Sequence, residues 1–115
     1  MPWRAIAAVG YALRGIAYML GERNCQVLAL ATISVIAAAA YFRLSALEWC
    51  AVVLAIAAIW VAEALNTALE RLTDLVSPGY HPLAGKAKDI AAGAVLMTAI
   101  VAVSIGIIIF GPRVV

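Results

Sequence analysis

The sequence predicts an all-α membrane protein with three transmembrane helices and an amphipathic N-terminal helix on the membrane surface. The chain is 67% hydrophobic and only 12% charged, whereas a soluble domain has about 25% charged residues. Three segments contain no charged residue, namely 24–42, 49–62 and 90–112, and about 20 apolar residues in a helix cross the hydrocarbon core. Because the chain has only 115 residues, residues 1–115 are expected to form a single membrane-embedded domain.

The first element, residues 3–21, has the pattern of a surface helix. Its apolar residues fall within about 80° of one another on a helical projection: Ile6, Val9, Leu13, Ile16 and Leu20. Arg4, Tyr11 and Glu22 fall on the opposite face, so the apolar face can lie in lipid. A simple anchor would explain the arginine but not an acid at the lipid boundary. Glu22 is therefore a candidate functional residue.

The first span is expected over residues 25–42 and the second over residues 46–75. Ser45 followed three residues later by Glu48 is typical of a capping box at the start of the second helix. A helix over residues 46–75 would be about 45 Å long, which exceeds the ~30 Å hydrocarbon core. Its last turns should therefore project from the membrane.

The third span is expected over residues 83–110, after a loop (residues 76–82) that contains two prolines and a glycine. Small residues recur on it at helical spacing: Ala87, Ala91, Ala94, Thr98 and Ala102. Because small residues let membrane helices approach closely, this pattern predicts tight packing within the chain or between chains.

The distribution of basic residues predicts the orientation. Six basic residues lie on one side of the predicted spans: Arg4, Arg14, Arg23, Arg71, Lys86 and Lys88. The other side has Arg43 and Arg113. By the positive-inside rule, the N-terminus and the second loop are expected to be cytoplasmic. The net charge of +2 is too small to suggest a nucleic-acid partner.

Four polar residues form one narrow stripe on the second helix: Glu63, Asn66, Glu70 and Asp74. Glu63 is the deepest, and intramembrane acids are functional candidates by default, here as a general base. Glu70 can ligate a hard cation such as Mg²⁺. One such acid could simply make a helix–helix hydrogen bond, but four residues on one stripe favour a site. Asp74 alone is expected to be solvated or paired with Arg71.

A second polar group opens the third helix, where Lys86, Lys88 and Asp89 follow Tyr80 and His81. A helix N-terminus with lysines attracts phosphate. Anchoring at the membrane surface would explain Lys86 but explains Asp89 poorly. Together with the stripe, these residues fit phosphoryl transfer to a lipid alcohol, which needs mostly positioning and charge neutralisation.

Two other functions fit the sequence less well. A proton-relay transporter would need polar residues toward both membrane faces, yet the third span is bare beyond Ser104 and the first span offers only Thr32 and Ser34. A non-catalytic membrane subunit would leave the stripe on the second helix unexplained.

Two motifs resemble the small bacterial diacylglycerol kinases and undecaprenol kinases. They are E-A-L-N-T-A-L-E-x-x-x-D (63–74) and Y-H-P-L-A-G-K-A-K-D (80–89). G-Y-A-L-R-G-I (10–16) and Glu22-Arg23-Asn24 also look like the family, so the resemblance covers about residues 4–98.

The resemblance implies a homotrimer in the bacterial cytoplasmic membrane, with active sites shared between subunits, and with ATP and Mg²⁺. It implies that Glu63 is the general base, that Glu22 and Glu70 hold the metal, and that Glu63, Asn66 and Arg4 bind the lipid substrate. It also implies a set of ATP contacts: Arg4, Tyr11, Glu22, Glu70, Gly79, Tyr80, His81, Lys88 and Asp89.

The chain departs from the family pattern near the lipid side of the site. After E-R-N the undecaprenol branch commonly continues F-R-x-H, whereas this chain has Cys25-Gln26-Val27-Leu28. The departures bear on which lipid is phosphorylated. The Y-H-P loop and the short chain slightly favour undecaprenol over diacylglycerol.

Overall fold

Residues 2–115 form four α-helices in the computed structural model, which describes this part of the chain. The helices are α1 (Pro2–Leu20), α2 (Arg23–Tyr41), α3 (Ala46–Val76) and α4 (Pro82–Val114). By length and composition, α2, α3 and α4 can each cross a membrane. The predicted fold class, three transmembrane helices preceded by an amphipathic helix, is confirmed.

The apolar core lies near the loop that joins α2 to α3, which we call the α2–α3 end of the bundle. Ala39, Leu44, Val52 and Ile109 form the buried cluster. They come from the end of α2, the loop, the start of α3 and the end of α4. The opposite end, which carries the α3–α4 loop and the polar stripe, has far fewer buried side chains. The helices are therefore closely packed at the α2–α3 end and loosely packed at the opposite end.

The turn after α2 is a Schellman motif built on an arginine. The Leu44 N–H donates to the Ala39 carbonyl at 3.2 Å, and the Arg43 N–H donates to the Ala40 carbonyl at 3.3 Å. Arg43 has φ of 53°, the left-handed conformation that this motif requires and that glycine usually supplies. Leu44 packs in the core with Ala39, which explains why the motif forms without a glycine.

The α3–α4 hairpin is clamped at the α2–α3 end. Ser45 and Glu48 form the predicted capping box, with bonds of 3.0 and 3.2 Å. Arg113 Nη2 donates to the same Glu48 carboxylate at 2.8 Å. Arg113 Nη1 donates to the Ile109 carbonyl at 2.6 Å. Helix α4 continues through Pro112 to Val114, past residue 110, the expected end of the third span.

The attachment of α2 to α3 depends on few polar contacts. Trp60 Nε1 donates a hydrogen bond to Thr32 Oγ1 at 3.0 Å. The Thr32 hydroxyl in turn donates to the Leu28 carbonyl at 2.8 Å, which leaves an oxygen lone pair for the indole. This is the only side-chain hydrogen bond between α2 and α3 among residues 2–115.

The surface helix α1 buries none of its described residues. Its apolar face is open, with Ile6 72% and Leu13 61% exposed. Gln26 Nε2 donates to the Leu20 carbonyl at 3.3 Å and so caps the C-terminus of α1 from the first turn of α2. An apolar face of this kind needs lipid or another helix to cover it.

Candidate active site

The polar stripe of α3 is partly buried at its deep end and exposed toward the α3–α4 loop. Glu63 and Asn66 are partly buried, whereas Glu70 and Asp74 are exposed. Asn66 Nδ2 donates to Glu70 Oε1 at 3.4 Å. Asn66 Oδ1 is buried and has no hydrogen-bond partner among residues 2–115. Because an unpaired buried acceptor is costly, this oxygen is suited to accept a hydrogen bond from a bound hydroxyl.

The turn between α1 and α2 is joined to α3 by an ion pair. Glu22 is the N-cap residue of α2, with extended backbone, but its carboxylate makes no capping hydrogen bond. It pairs instead with the Arg71 guanidinium. Arg71 follows Glu70 directly in α3, so this pair brings Glu22 to the level of the loop end of the stripe. Both residues line a cleft of about 380 Å³ between α1 and α3.

Lys88 joins α4 to the same end of the stripe. Its Nζ donates to Asp74 Oδ1 at 2.5 Å. Asp74 is exposed, as expected, but the expected alternative of a pair with Arg71 is wrong, because α4 returns alongside α3 and presents Lys88 to Asp74, while Arg71 turns to Glu22. In the described part of the chain, Asp89 forms no ion pair and is exposed.

The α3–α4 loop holds His81 in a defined orientation. The Leu83 N–H donates to His81 Nδ1 at 3.1 Å, so His81 caps the N-terminus of α4, with Pro82 at the first helical position. Because Nδ1 accepts this bond, the neutral ring carries its proton on Nε2, which remains a donor for a ligand. Ser77 Oγ donates to the Gly79 carbonyl at 3.1 Å, and Tyr80 is 93% exposed.

Arg4 and Tyr11 lie away from this cluster along α1. The Arg4 guanidinium stacks over the Trp3 ring at 5.2 Å, and Arg14 stacks over the Tyr11 ring at 5.8 Å. At ~1.5 Å per residue, Arg4 is about 24 Å from the C-terminal end of its own helix. Within one chain, α1 therefore does not bring Arg4 next to Glu22.

The carboxylates fit a metal that is shared with a phosphate ligand. The described residues contain no group of three or more His, Cys, Asp or Glu side chains that could hold a metal alone. Mg²⁺ is commonly bound by one or two carboxylates together with substrate phosphates and water. Glu22 and Glu70, which reach this end from different segments, match that smaller protein donor set.

Sequence reasoning missed four contacts: Glu22 with Arg71, Asp74 with Lys88, Trp60 with Thr32, and Gln26 with the Leu20 carbonyl. The first three join residues distant in the chain, and no local pattern signals them. The fourth could have been anticipated, because a polar side chain one turn into α2 can reach back to the end of α1.

Known proteins similar to this chain are lipid kinases. Undecaprenol kinase from Bacillus subtilis (strain 168) is 42% identical over 92 residues, which cover 80% of this chain and 75% of that protein. A diacylglycerol kinase from a Synechocystis species is 42% identical over 98 residues, which cover 84% of this chain and 56% of that protein. Diacylglycerol kinase from Escherichia coli (strain K12) is 31% identical over 101 residues, which cover 87% and 83% respectively.

The family assignment extends over most of the chain, including all of α2 and α3 and most of α4. Residues 10–110 match the model of the family described as prokaryotic diacylglycerol kinase. That range contains the polar stripe of α3, the α3–α4 loop and the start of α4, where the charged residues converge. The chain therefore belongs to the prokaryotic diacylglycerol kinase family, a family of membrane-embedded lipid kinases.

Proposed function

We propose that this lipid kinase transfers the γ-phosphate of ATP to the hydroxyl of a membrane lipid alcohol at the cytoplasmic face of the bacterial inner membrane. The observation that carries the proposal is the convergence at one end of the bundle of charged residues from three segments. Glu22 comes from the α1–α2 turn, Glu70 from α3 and Lys88 from α4. Carboxylates beside a lysine at a helix N-terminus are suited to hold a metal-bound polyphosphate.

The reacting hydroxyl belongs at the deep end of the stripe. Glu63 would take the hydroxyl proton as the lipid oxygen attacks the γ-phosphorus and ADP leaves. The open acceptor of Asn66 lies one turn away on the same face and can orient the hydroxyl before that transfer. Glu63 and Asn66 are both partly buried, which suits a substrate that enters from the bilayer.

The phosphates belong at the loop end of the stripe. The His81 Nε2–H at the N-terminus of α4 and the Lys88 ammonium in its second turn are the proposed phosphate donors. Gly79, Tyr80 and Asp89 are their neighbours in the chain. Glu22 and Glu70 would hold Mg²⁺, which neutralises phosphate charge during phosphoryl transfer. The Mg²⁺ requirement and the ATP contacts are proposals that rest on this charge arrangement.

For the lipid, we favour undecaprenol over diacylglycerol. The similarity to the B. subtilis undecaprenol kinase and the Y-H-P loop support this choice, although diacylglycerol kinases are similar as well. At two of the positions that depart from the family pattern, the side chain has a structural role. The Gln26 amide caps α1, and Cys25 is buried, at 1% exposure. Cys25 is therefore not accessible to a headgroup, and lipid choice falls to other residues, Leu28 among them.

The proposed assembly is a homotrimer with shared sites. One chain leaves α1 uncovered and holds Arg4 and Tyr11 away from the charged cluster. A groove of about 780 Å³ between α3 and α4 is lined by Ala91, Ala94 and Thr98 of the small-residue pattern. A neighbouring subunit would cover these faces and bring a second α1 to each site. Cross-linking in native membranes should give trimers, and a fully active monomer would contradict this assembly.

The direct test offers radiolabelled ATP and three lipids in parallel to the purified protein in micelles. Undecaprenol, diacylglycerol and ceramide are the acceptors, and the labelled lipid products are separated by chromatography. Label in undecaprenol above the other two supports the proposed substrate. Label mainly in diacylglycerol would correct the substrate but keep the kinase. No label in any lipid, with Mg²⁺ present, would overturn the proposed reaction.

A further inference from the structure

The ion pair between Glu22 and Arg71 places the Arg71 guanidinium at a carboxylate that is proposed to bind Mg²⁺. Glu22 is a proposed metal ligand, yet its carboxylate is engaged by the Arg71 guanidinium. Its backbone is extended and its side chain is not used as a helix cap, so the contact with Arg71 is not a by-product of capping.

Arg71 is well placed to exchange one partner for another. The Arg71 side chain is 69% exposed and the Glu22 side chain 35% exposed. An ion pair this open to water is weak, because water and salt screen it. A divalent cation can therefore displace the guanidinium at small cost.

We propose that Arg71 occupies the metal position at Glu22 in the ligand-free enzyme and releases Glu22 when Mg²⁺ binds. This role rests on the proposed assignment of Glu22 to Mg²⁺. In the absence of metal, Arg71 neutralises Glu22 and holds the α1–α2 turn against α3. When metal binds, Glu22 turns from Arg71 to the cation, and the guanidinium moves into the adjacent cleft between α1 and α3.

The substitution Arg71→Gln should strengthen metal binding. It removes a competitor for the Glu22 carboxylate and a positive charge beside the incoming cation. Since exposed ion pairs are weak, the expected gain in affinity is about two- to fivefold. If Arg71 instead served only to hold Glu22 in position, the same substitution would weaken metal binding. The direction of the change therefore separates competition from a purely structural role.

The experiment measures Mn²⁺ binding by electron paramagnetic resonance, with the full-length protein in lipid nanodiscs. A non-hydrolysable ATP analogue is present at a fixed saturating concentration, because Glu22 and Glu70 would share the metal with phosphate. Wild type, Arg71→Gln and Arg71→Lys are compared. Arg71→Lys keeps a cation near Glu22 and should remain close to wild type. Arg23→Gln is the matched control, because it removes the same charge from the residue next to Glu22, and Arg23 forms no ion pair within residues 2–115.

The outcomes are distinct. Tighter Mn²⁺ binding in Arg71→Gln than in Arg23→Gln, with Arg71→Lys near wild type, supports the exchange. Unchanged or weaker binding in Arg71→Gln overturns it while leaving the metal site itself intact. If wild type and Arg71→Gln both fail to bind Mn²⁺, and Glu22→Gln behaves identically, then the metal assignment in the proposed function fails along with the exchange. Thermal unfolding of each variant checks that the fold is retained.

Discussion

The hydrogen bond between Trp60 and Thr32 should contribute measurably to the attachment of α2. Thr32→Val removes the acceptor with little change in shape, and Trp60→Phe removes the N–H donor together with part of the ring. Hydrogen bonds between membrane helices average about 0.6 kcal/mol and reach about 1.7 kcal/mol. Here the distance is 3.0 Å and both side chains are partly buried. The Thr32 hydroxyl is already oriented by its own bond to Leu28.

These features place the bond in the upper half of that range, at about 1–1.5 kcal/mol. The assay is a double-mutant cycle on the free energy of unfolding in mild detergent, with SDS as the denaturant. The cycle is needed because Trp60→Phe also removes apolar packing, which the single variant would include. Ser34→Ala is the matched control, since Ser34 makes the same kind of bond to a carbonyl of its own helix. A coupling energy below about 0.3 kcal/mol would refute the attribution.

Three further predictions concern the site and the α2–α3 turn. Glu63→Gln should lower kcat by about 10²–10⁴-fold and leave ATP binding intact, because a general base contributes about that factor; a loss smaller than about tenfold in the radiolabelled assay would exclude this role. Glu22→Gln and Glu70→Gln should each raise the Mg²⁺ concentration needed for half-maximal activity, and an unchanged Mg²⁺ titration in both variants would contradict the metal assignment. Arg43→Gly should stabilise the fold by about 1 kcal/mol, because it relieves a left-handed arginine; a lower unfolding temperature would show that the arginine side chain itself contributes to stability.

Periodicity and local motifs predicted those parts of the structure that depend on neighbours in the chain. The capping box of Ser45 and Glu48 is one case, because both partners lie in the same turn. The stripe from Glu63 to Asp74 is another, because helical spacing alone puts its members on one face. The Schellman turn at Arg43 was not predicted, since the usual signal, a glycine, is missing there.

The pairing of charges could not be read from the sequence, because it depends on how helices meet. Asp74 has Arg71 one turn away on its own helix, and a local rule favours that pair. In the structure, Asp74 instead forms an ion pair with Lys88, and Arg71 forms an ion pair with Glu22. Both choices follow from tertiary packing, which carries α4 and the α1–α2 turn to the end of α3. The candidate residues were thus predictable, but their partners were not.

Because the buried packing is concentrated at the α2–α3 end, α2 can tilt about that end. Ala39 is fully buried and marks the pivot, while Glu22 lies about 25 Å away, at the N-terminus of α2. A tilt of α2 by about 5° about Ala39 would move Glu22 by about 2 Å, whereas metal–ligand distances in a bound site are held to about 0.2 Å. Small rotations of α2 would therefore open or assemble the proposed metal site while the core stays in place. The hydrogen bond from Trp60 of α3 to Thr32, partway along α2, would limit this motion.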